Sequence, residues 1–182
     1  MRVIFAGTPE FARVALERLS ADPAAELPDG LHVGLCGAGS PFPDDLRSGP
    51  CTAVLAGKRL FVFDAGNGAA RNIGKLGFMS GQVEAIFLTH FHSDHIDGLG
   101  ELLLQRWVQG GHEQPVPVVG PTGVQQVVDG LATVYAMDRG YRVAHHGERV
   151  VPAGGFGATA RSFDGSAPVV LLKEGELEIS AF

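Results

Sequence analysis

The sequence predicts one mixed α/β domain, with strands and helices in α/β or α+β layering. Three observations carry that reading. Apolar runs of strand length alternate along the chain with stretches of helical period. The 182 residues are 45% hydrophobic, enough to build a real core. Two pairs of apolar runs meet at tight turn signals, Gly57-Lys58 after one strand reading and Glu174-Gly175 after another.

The elements follow in order. "RVIFA" near the N-terminus reads as a buried strand, with Thr8 as a helix cap and Pro9 in the first turn. Phe11, Ala15 and Leu19 then share a helical face. "SADPAAELPDG" (20–30) breaks the pattern with prolines, acids and a glycine, and reads as a linker. A strand begins at Leu31 with "LHVGLC", followed by the loop "GAGSPFPDD". "CTAVLA" and "RLFVFD" form the first hairpin, and "VEAIFLT" is a buried strand over 83–89. "GLGELLLQRWV" and "TGVQQVVDGLATVYAM" read as helices, with "VPVV" as a strand between them. "PVVLLK" and "ELEISAF" form the last hairpin. No internal repeat is evident.

Composition narrows the function classes. The formal net charge is −6 and no Lys/Arg-rich block exists, so nucleic acid is not a favoured partner, although a local basic site stays open. Cys36 and Cys51 form no C-x-x-C motif and read as a pair of buried thiols. Val3 to Ala6 is too short an apolar run for a signal peptide, and no stretch is long enough to span a bilayer. A cytoplasmic protein without a membrane partner is the expectation.

Residues 89–99, "THFHSDHIDGL", concentrate the chemistry. His90 and His92 stand two apart just after an apolar strand, and residues two apart on extended chain point the same way. Asp94 and His95 follow as the chain turns, and the next helix should start near Asp97 or Gly98, with Asp97 as a candidate cap. Imidazole and carboxylate are zinc ligands, and two adjacent pairs suit two neighbouring ions. The plain alternative is a polar loop whose histidines only cap a strand and a helix. Four ligand residues at H-x-H-x-D-H spacing fit that alternative poorly.

That motif resembles the signature of the metallo-β-lactamase-fold hydrolases, in the ribonuclease Z and arylsulfatase-like branch. "GAGSPFPDDLRSGP", "LFVFDAGNGAARN" and "YRVAHHGE" also resemble segments of that branch, so the likeness runs from about Leu31 to Phe182. The resemblance implies an αβ/βα sandwich with a metal site at the sheet edges. It implies that His90 and His92 bind a first zinc and that Asp94 and His95 bind a second, with manganese as another candidate metal. Asp64 would be a supporting carboxylate. A metal-bound hydroxide would attack an ester or phosphodiester, with Asp94 assigned a catalytic role as well.

The departures from that family are informative too. A catalytic zinc usually takes three protein ligands, and four shared between two ions leave both sets short. The remaining histidines, His32, His112, His145 and His146, do not fit the family's pattern for further ligands. His145-His146 reads as a surface or substrate-side pair in a loop. The expectation is therefore the first half of the sandwich, with a sheet face or edge left uncovered. At the other end, "MRVIFAGTPEFARVALERL" (1–19) resembles the first strand and helix of methionyl-tRNA formyltransferase, and the domain proper should span 31–182.

The resulting expectation is a zinc-dependent hydrolase of a small-molecule ester or phosphodiester, inactive as this chain alone and with a homo-oligomer allowed. A non-catalytic metal-binding fragment and a formyltransferase-related protein are the alternatives.

Overall fold

The structure, a computed structural model, describes Leu27 and residues 30–182. The formyltransferase-like strand and helix over 1–19 and most of the 20–30 linker lie outside the described residues.

Six strands form the main sheet. They are β1 (Leu31–Gly37), β2 (Cys51–Ala56), β3 (Arg59–Phe63), β4 (Val83–Phe87), β5 (Val116–Pro121) and β6 (Ala158–Phe163), and they lie side by side in chain order. The first three are antiparallel neighbours, and β3 through β6 run parallel. A separate antiparallel hairpin joins β7 (Val169–Glu174) to β8 (Leu177–Ala181). Both hairpins predicted from the turn signals are present.

Parallel neighbours need crossover connections, and helices supply them. The helices are α1 (Ala69–Lys75), the one-turn α2 (Ser93–Ile96), α3 (Leu99–Gly110), α4 (Val124–Val134) and α5 (Ala136–His146). Strand side chains alternate between the two faces, so adjacent residues go to different cores. Val62, Ile86 and Val118 join Ile73, Leu99, Leu102 and Val128 beneath the helices. Phe61, Phe87 and Val119 face the other way, where Ile179 and Leu172 of the hairpin cover them. The layers are thus helices, sheet and hairpin.

Leu99, Leu102, Leu103, Arg106 and Trp107 are the buried stripe of α3, at the spacing the sequence predicts. Arg106 is held without a carboxylate. Its Nε donates to Val83 O at 2.9 Å and its guanidinium to Gln114 O at 3.1 Å, and burial lowers its pKa. Arg59 does the opposite work at the surface. It pairs with Glu84 on β4 and, at 2.9 Å, with Glu174 on the hairpin, and the hydrogen bond to Glu84 is the main cause of its raised pKa.

Several expectations need correction. The single helix read over "TGVQQVVDGLATVYAM" is two. The break falls at Tyr135, whose ring seats against Gly100 of α3 and lies 5.9 Å from Phe156. Tyr135 itself departs from helical backbone, at φ −92° and ψ 3°, and so ends one helix and starts the next. His145 and His146 are not in a loop but in the last turn of α5, which Gly147 ends at φ 78°. A glycine just past a helical run is a stop signal, and here it marked that helix. Asp97 does not cap α3; it closes α2, and Gly98 precedes α3 without a side-chain cap. Cys36 and Cys51 are not thiols but a disulfide. The β1–β2 register sets Gly37 opposite Cys51 and so brings the sulfurs together, which linear spacing does not reveal. No described helix is long and apolar enough to cross a membrane.

Candidate metal centre

Two parallel strands deliver the site. Phe63 at the end of β3 is paired with Phe87 at the end of β4, so the residues that follow each strand emerge side by side at one sheet edge. In open α/β sheets, this carboxyl-end edge is where ligands bind. From β3 comes Asp64, from β4 the segment Thr89–His95.

Asp64 is 7% exposed and sits in the left-handed region at φ 56°. Asp tolerates that conformation better than most residues, and here it turns the carboxylate toward the neighbouring strand end. The Thr89 N–H donates to Asp64 Oδ1 at 2.8 Å, and the Thr89 hydroxyl lies 2.8 Å from Oδ2. His95 Nδ1 lies 2.8 Å from Oδ2 as well. A carboxylate only accepts, so this nitrogen of a neutral His95 carries the proton and Nε2 keeps its lone pair. That nitrogen faces Asp94, with 3.8 Å to Oδ2.

Two glycines make the packing possible. Gly66 lies against the carbonyl of Asp94 so closely that a Cβ there would collide with it, and a Cβ on Gly49 would sit 2.8 Å from the same oxygen. The Ala65 N–H then donates to His95 O at 2.8 Å and the Gly98 N–H to Ala65 O at 2.9 Å. The turn after β3 is thereby bolted to α2, whose first residues are the second half of the motif.

His90 and His92 lie on the extended chain before α2. His90 Nε2 and His92 Nδ1 are 2.9 Å apart. The His90 ring also stands 4.1 Å from the His95 ring, between centroids, and so links the two pairs. All four motif residues therefore gather at one edge, as two adjacent pairs. Among the described residues, no three His, Cys, Asp or Glu side chains are arranged to hold one ion.

The donor chemistry fits zinc nonetheless. Ligand nitrogens at about 2.0–2.1 Å from a tetrahedral zinc lie roughly 3.3–3.4 Å from each other. The His90–His92 nitrogens need to part by a few tenths of an ångström to meet that spacing, and the Asp94–His95 pair to close by a similar amount. Asp64, bonded to His95 Nδ1, is the kind of outer carboxylate that would fix the tautomer and ring plane of a metal-binding histidine. Each pair would leave an ion short of protein ligands. His112 is engaged with Gly81 O at 2.7 Å, and the rings of His145 and His146 meet edge to face at 4.6 Å on α5, so none of these joins the motif.

An apolar cavity of about 540 Å³ opens beside the site, on the hairpin side of the sheet. Phe63, Phe87, Phe163 and Ile179 wall it, and Asp64 and Thr89 reach its polar end. Phe182, also at its rim, is 89% exposed. The hairpin thus covers only part of the sheet face that the sequence expectation left open. Sequence reading missed Thr89, which binds both Asp64 and His90, and the glycines that let α2 approach. Gly49, Gly66 and Gly98 beside the motif segments were the available signal.

This sheet, with its motif at the carboxyl edge, defines a class. The family model of the metallo-beta-lactamase superfamily matches residues 44–176, and the chain belongs to that superfamily. Among curated proteins it is similar to ribonuclease Z of Mycolicibacterium gilvum, 41% identical over 124 residues, covering 67% of this chain and 43% of that protein. Ribonuclease Z of Mycobacterium bovis is 40% identical over 124 residues, covering 67% and 44%. The chain thus spans less than half the length of these relatives. Among solved structures, the short form of human tRNase Z superposes with a TM-score of 0.63 at 22% identity, over 82% of this chain and 57% of that one. The metallo-beta-lactamase fold protein YhfI of Bacillus subtilis gives 0.56 at 16%, over 84% and 57%. These two likenesses are of fold.

Proposed function

We propose that the chain carries the metal-holding part of a ribonuclease Z-like hydrolase, and that the bond cleaved is a phosphodiester of RNA. The observation that carries this reading is the pairing of His90 with His92 and of Asp94 with His95 at one sheet edge, in a chain about two-fifths identical to ribonuclease Z over that region. His90 and His92 would hold one zinc, and Asp94 and His95 a second, with manganese as the other candidate. When bound, the metal supplies Lewis-acid polarisation of the phosphoryl group and an acidified water. The chain's own part is to orient. Asp64 keeps the proton of His95 on Nδ1, and the Gly49–Gly66–Asp94 packing fixes where the Asp94 carboxylate starts. Asp94 is assigned to catalysis as well as to ligation.

This reading takes RNA as the substrate, where the sequence expectation, from its charge and its lack of a long basic insertion, favours a small molecule. A net charge of −6 sums the whole chain, whereas a substrate phosphate responds to the local field. Bound divalent ions are the largest charges in such a site.

A chimera tests the reading. Residues 31–182 would replace the matching segment of the Mycolicibacterium gilvum ribonuclease Z, and cleavage of an RNA would be followed with zinc or manganese added. RNA cleavage that is lost on His90→Ala supports the proposal. A folded, zinc-loaded chimera that turns over an aryl ester but leaves RNA intact overturns it in favour of a small-molecule esterase.

A further inference from the structure

We infer that Thr89 is a positioning residue, which selects the tautomer of the neutral His90 ring and so leaves its Nε2 lone pair aimed at the metal position. The inference rests on the metal-binding reading of the motif. It follows from counting protons along a short chain of hydrogen bonds. The Asp64 carboxylate has no proton to give. Thr89 Oγ1 lies 2.8 Å from its Oδ2 and 3.0 Å from its Oδ1, so the single hydroxyl proton points to Asp64. Thr89 Oγ1 also lies 2.9 Å from His90 Nδ1. With its proton committed, the hydroxyl oxygen can only accept, and His90 must donate from Nδ1. A neutral imidazole carries one ring proton, so Nε2 is left with its lone pair.

That lone pair is the one aimed at His92 Nδ1, 2.9 Å away, where the shared ion would sit. In the metal-free chain, His92 donates from Nδ1 to His90 Nε2; with metal bound, both nitrogens turn their lone pairs to it. The same carboxylate therefore fixes two ligands, His95 directly and His90 through Thr89. The geometry is held from both sides. The Thr89 N–H is itself bonded to Asp64 Oδ1, so the hydroxyl and the carboxylate cannot drift apart without breaking a second bond. A serine retains the hydroxyl, whereas valine keeps the branched shape and removes it.

The test uses the whole chain without metal, then with zinc. Ring ¹⁵N shifts of His90, assigned by comparison with His90→Gln, report which nitrogen carries the proton. Wild type and Thr89→Ser should show the proton on Nδ1, and Thr89→Val should lose that preference. Zinc affinity, measured by chelator competition, should fall about 10- to 100-fold in Thr89→Val and stay near wild type in Thr89→Ser. Finding the His90 proton on Nε2 in metal-free wild type overturns the inference without any variant, so a misfolded Thr89→Val leaves it decidable. Unchanged zinc affinity in a folded Thr89→Val overturns it too, and leaves the metal reading standing. If wild type binds no zinc at all, the metal reading fails and the inference falls with it.

Discussion

Asp64 and His95 are 31 residues apart in sequence and 2.8 Å apart in space, carboxylate Oδ2 to imidazole Nδ1. The bond ties the end of β3 to the helix turn that follows β4, and it orients the motif's last histidine. Removing it should therefore be felt at the metal before it is felt in the fold. Asp64→Ala should weaken zinc binding about 10- to 100-fold, and Asp64→Asn less, because an amide oxygen can still accept from Nδ1. Chelator competition on both variants measures the difference. Equal affinities for wild type and Asp64→Ala would remove the carboxylate from the site.

His90 and His92 should be the anchor of metal binding. Replacing both with alanine removes one whole pair and leaves only the two ligands Asp94 and His95. Most zinc binding should be lost, while the circular dichroism spectrum stays that of wild type, since both rings lie on exposed or half-exposed chain. Titration with zinc under calorimetry reads the loss. Unchanged stoichiometry would rule out the motif.

The chain alone should turn over substrate poorly. A binuclear hydrolase holds its metals with more protein ligands than two pairs supply, and a misplacement of about 1 Å can cost about 100-fold in rate. Purified protein with zinc or manganese should show little cleavage of an RNA, a generic phosphodiester or an aryl ester. Robust turnover that disappears in Asp94→Ala would contradict this, and would point to a second copy or to α5 for the missing ligands.

Reducing the disulfide should cost stability. Cys36 and Cys51 close a loop of sequence separation 15, for which the loss of chain entropy in the unfolded state is worth about 3 kcal/mol. Urea midpoints with and without a phosphine reductant should differ accordingly. Coincident curves would mean that the β1–β2 ladder alone holds the loop.

Trp107 should be the costliest single truncation in α3. It is fully buried, its Nε1 donates to Pro152 O at 2.8 Å, and its ring meets Phe156 edge-on at 5.4 Å. Trp107→Ala should lose about 3–5 kcal/mol by chemical denaturation, and Trp107→Phe much less. A loss below about 1 kcal/mol for the alanine variant would show that the loop at 150–156 repacks into the space.

Local pattern in the chain was enough to read the elements it governs. Alternating and continuous apolar runs gave β1 to β5 and the last hairpin, and the Leu99, Leu102, Leu103 spacing gave the buried face of α3, because strand and helix periods are written in consecutive residues. The H-x-H-x-D-H spacing likewise announced the motif and its place after β4. Weakly patterned pieces escaped. In β6 three residues are exposed and three half-buried, and α1 is a seven-residue helix whose one large apolar side chain is Ile73, so neither carried a strong period to read.

Which residues meet was settled by the folded core. The parallel pairing of β3 with β4 brought Asp64 to Thr89 and His95, and the antiparallel pairing of β1 with β2 turned two cysteines into a disulfide. One predicted helix became two at Tyr135, whose ring packs against Gly100 of α3. Each of these depends on strand register or on a contact between distant segments. Such contacts are set by how the whole core closes, and no window of neighbouring residues contains that information.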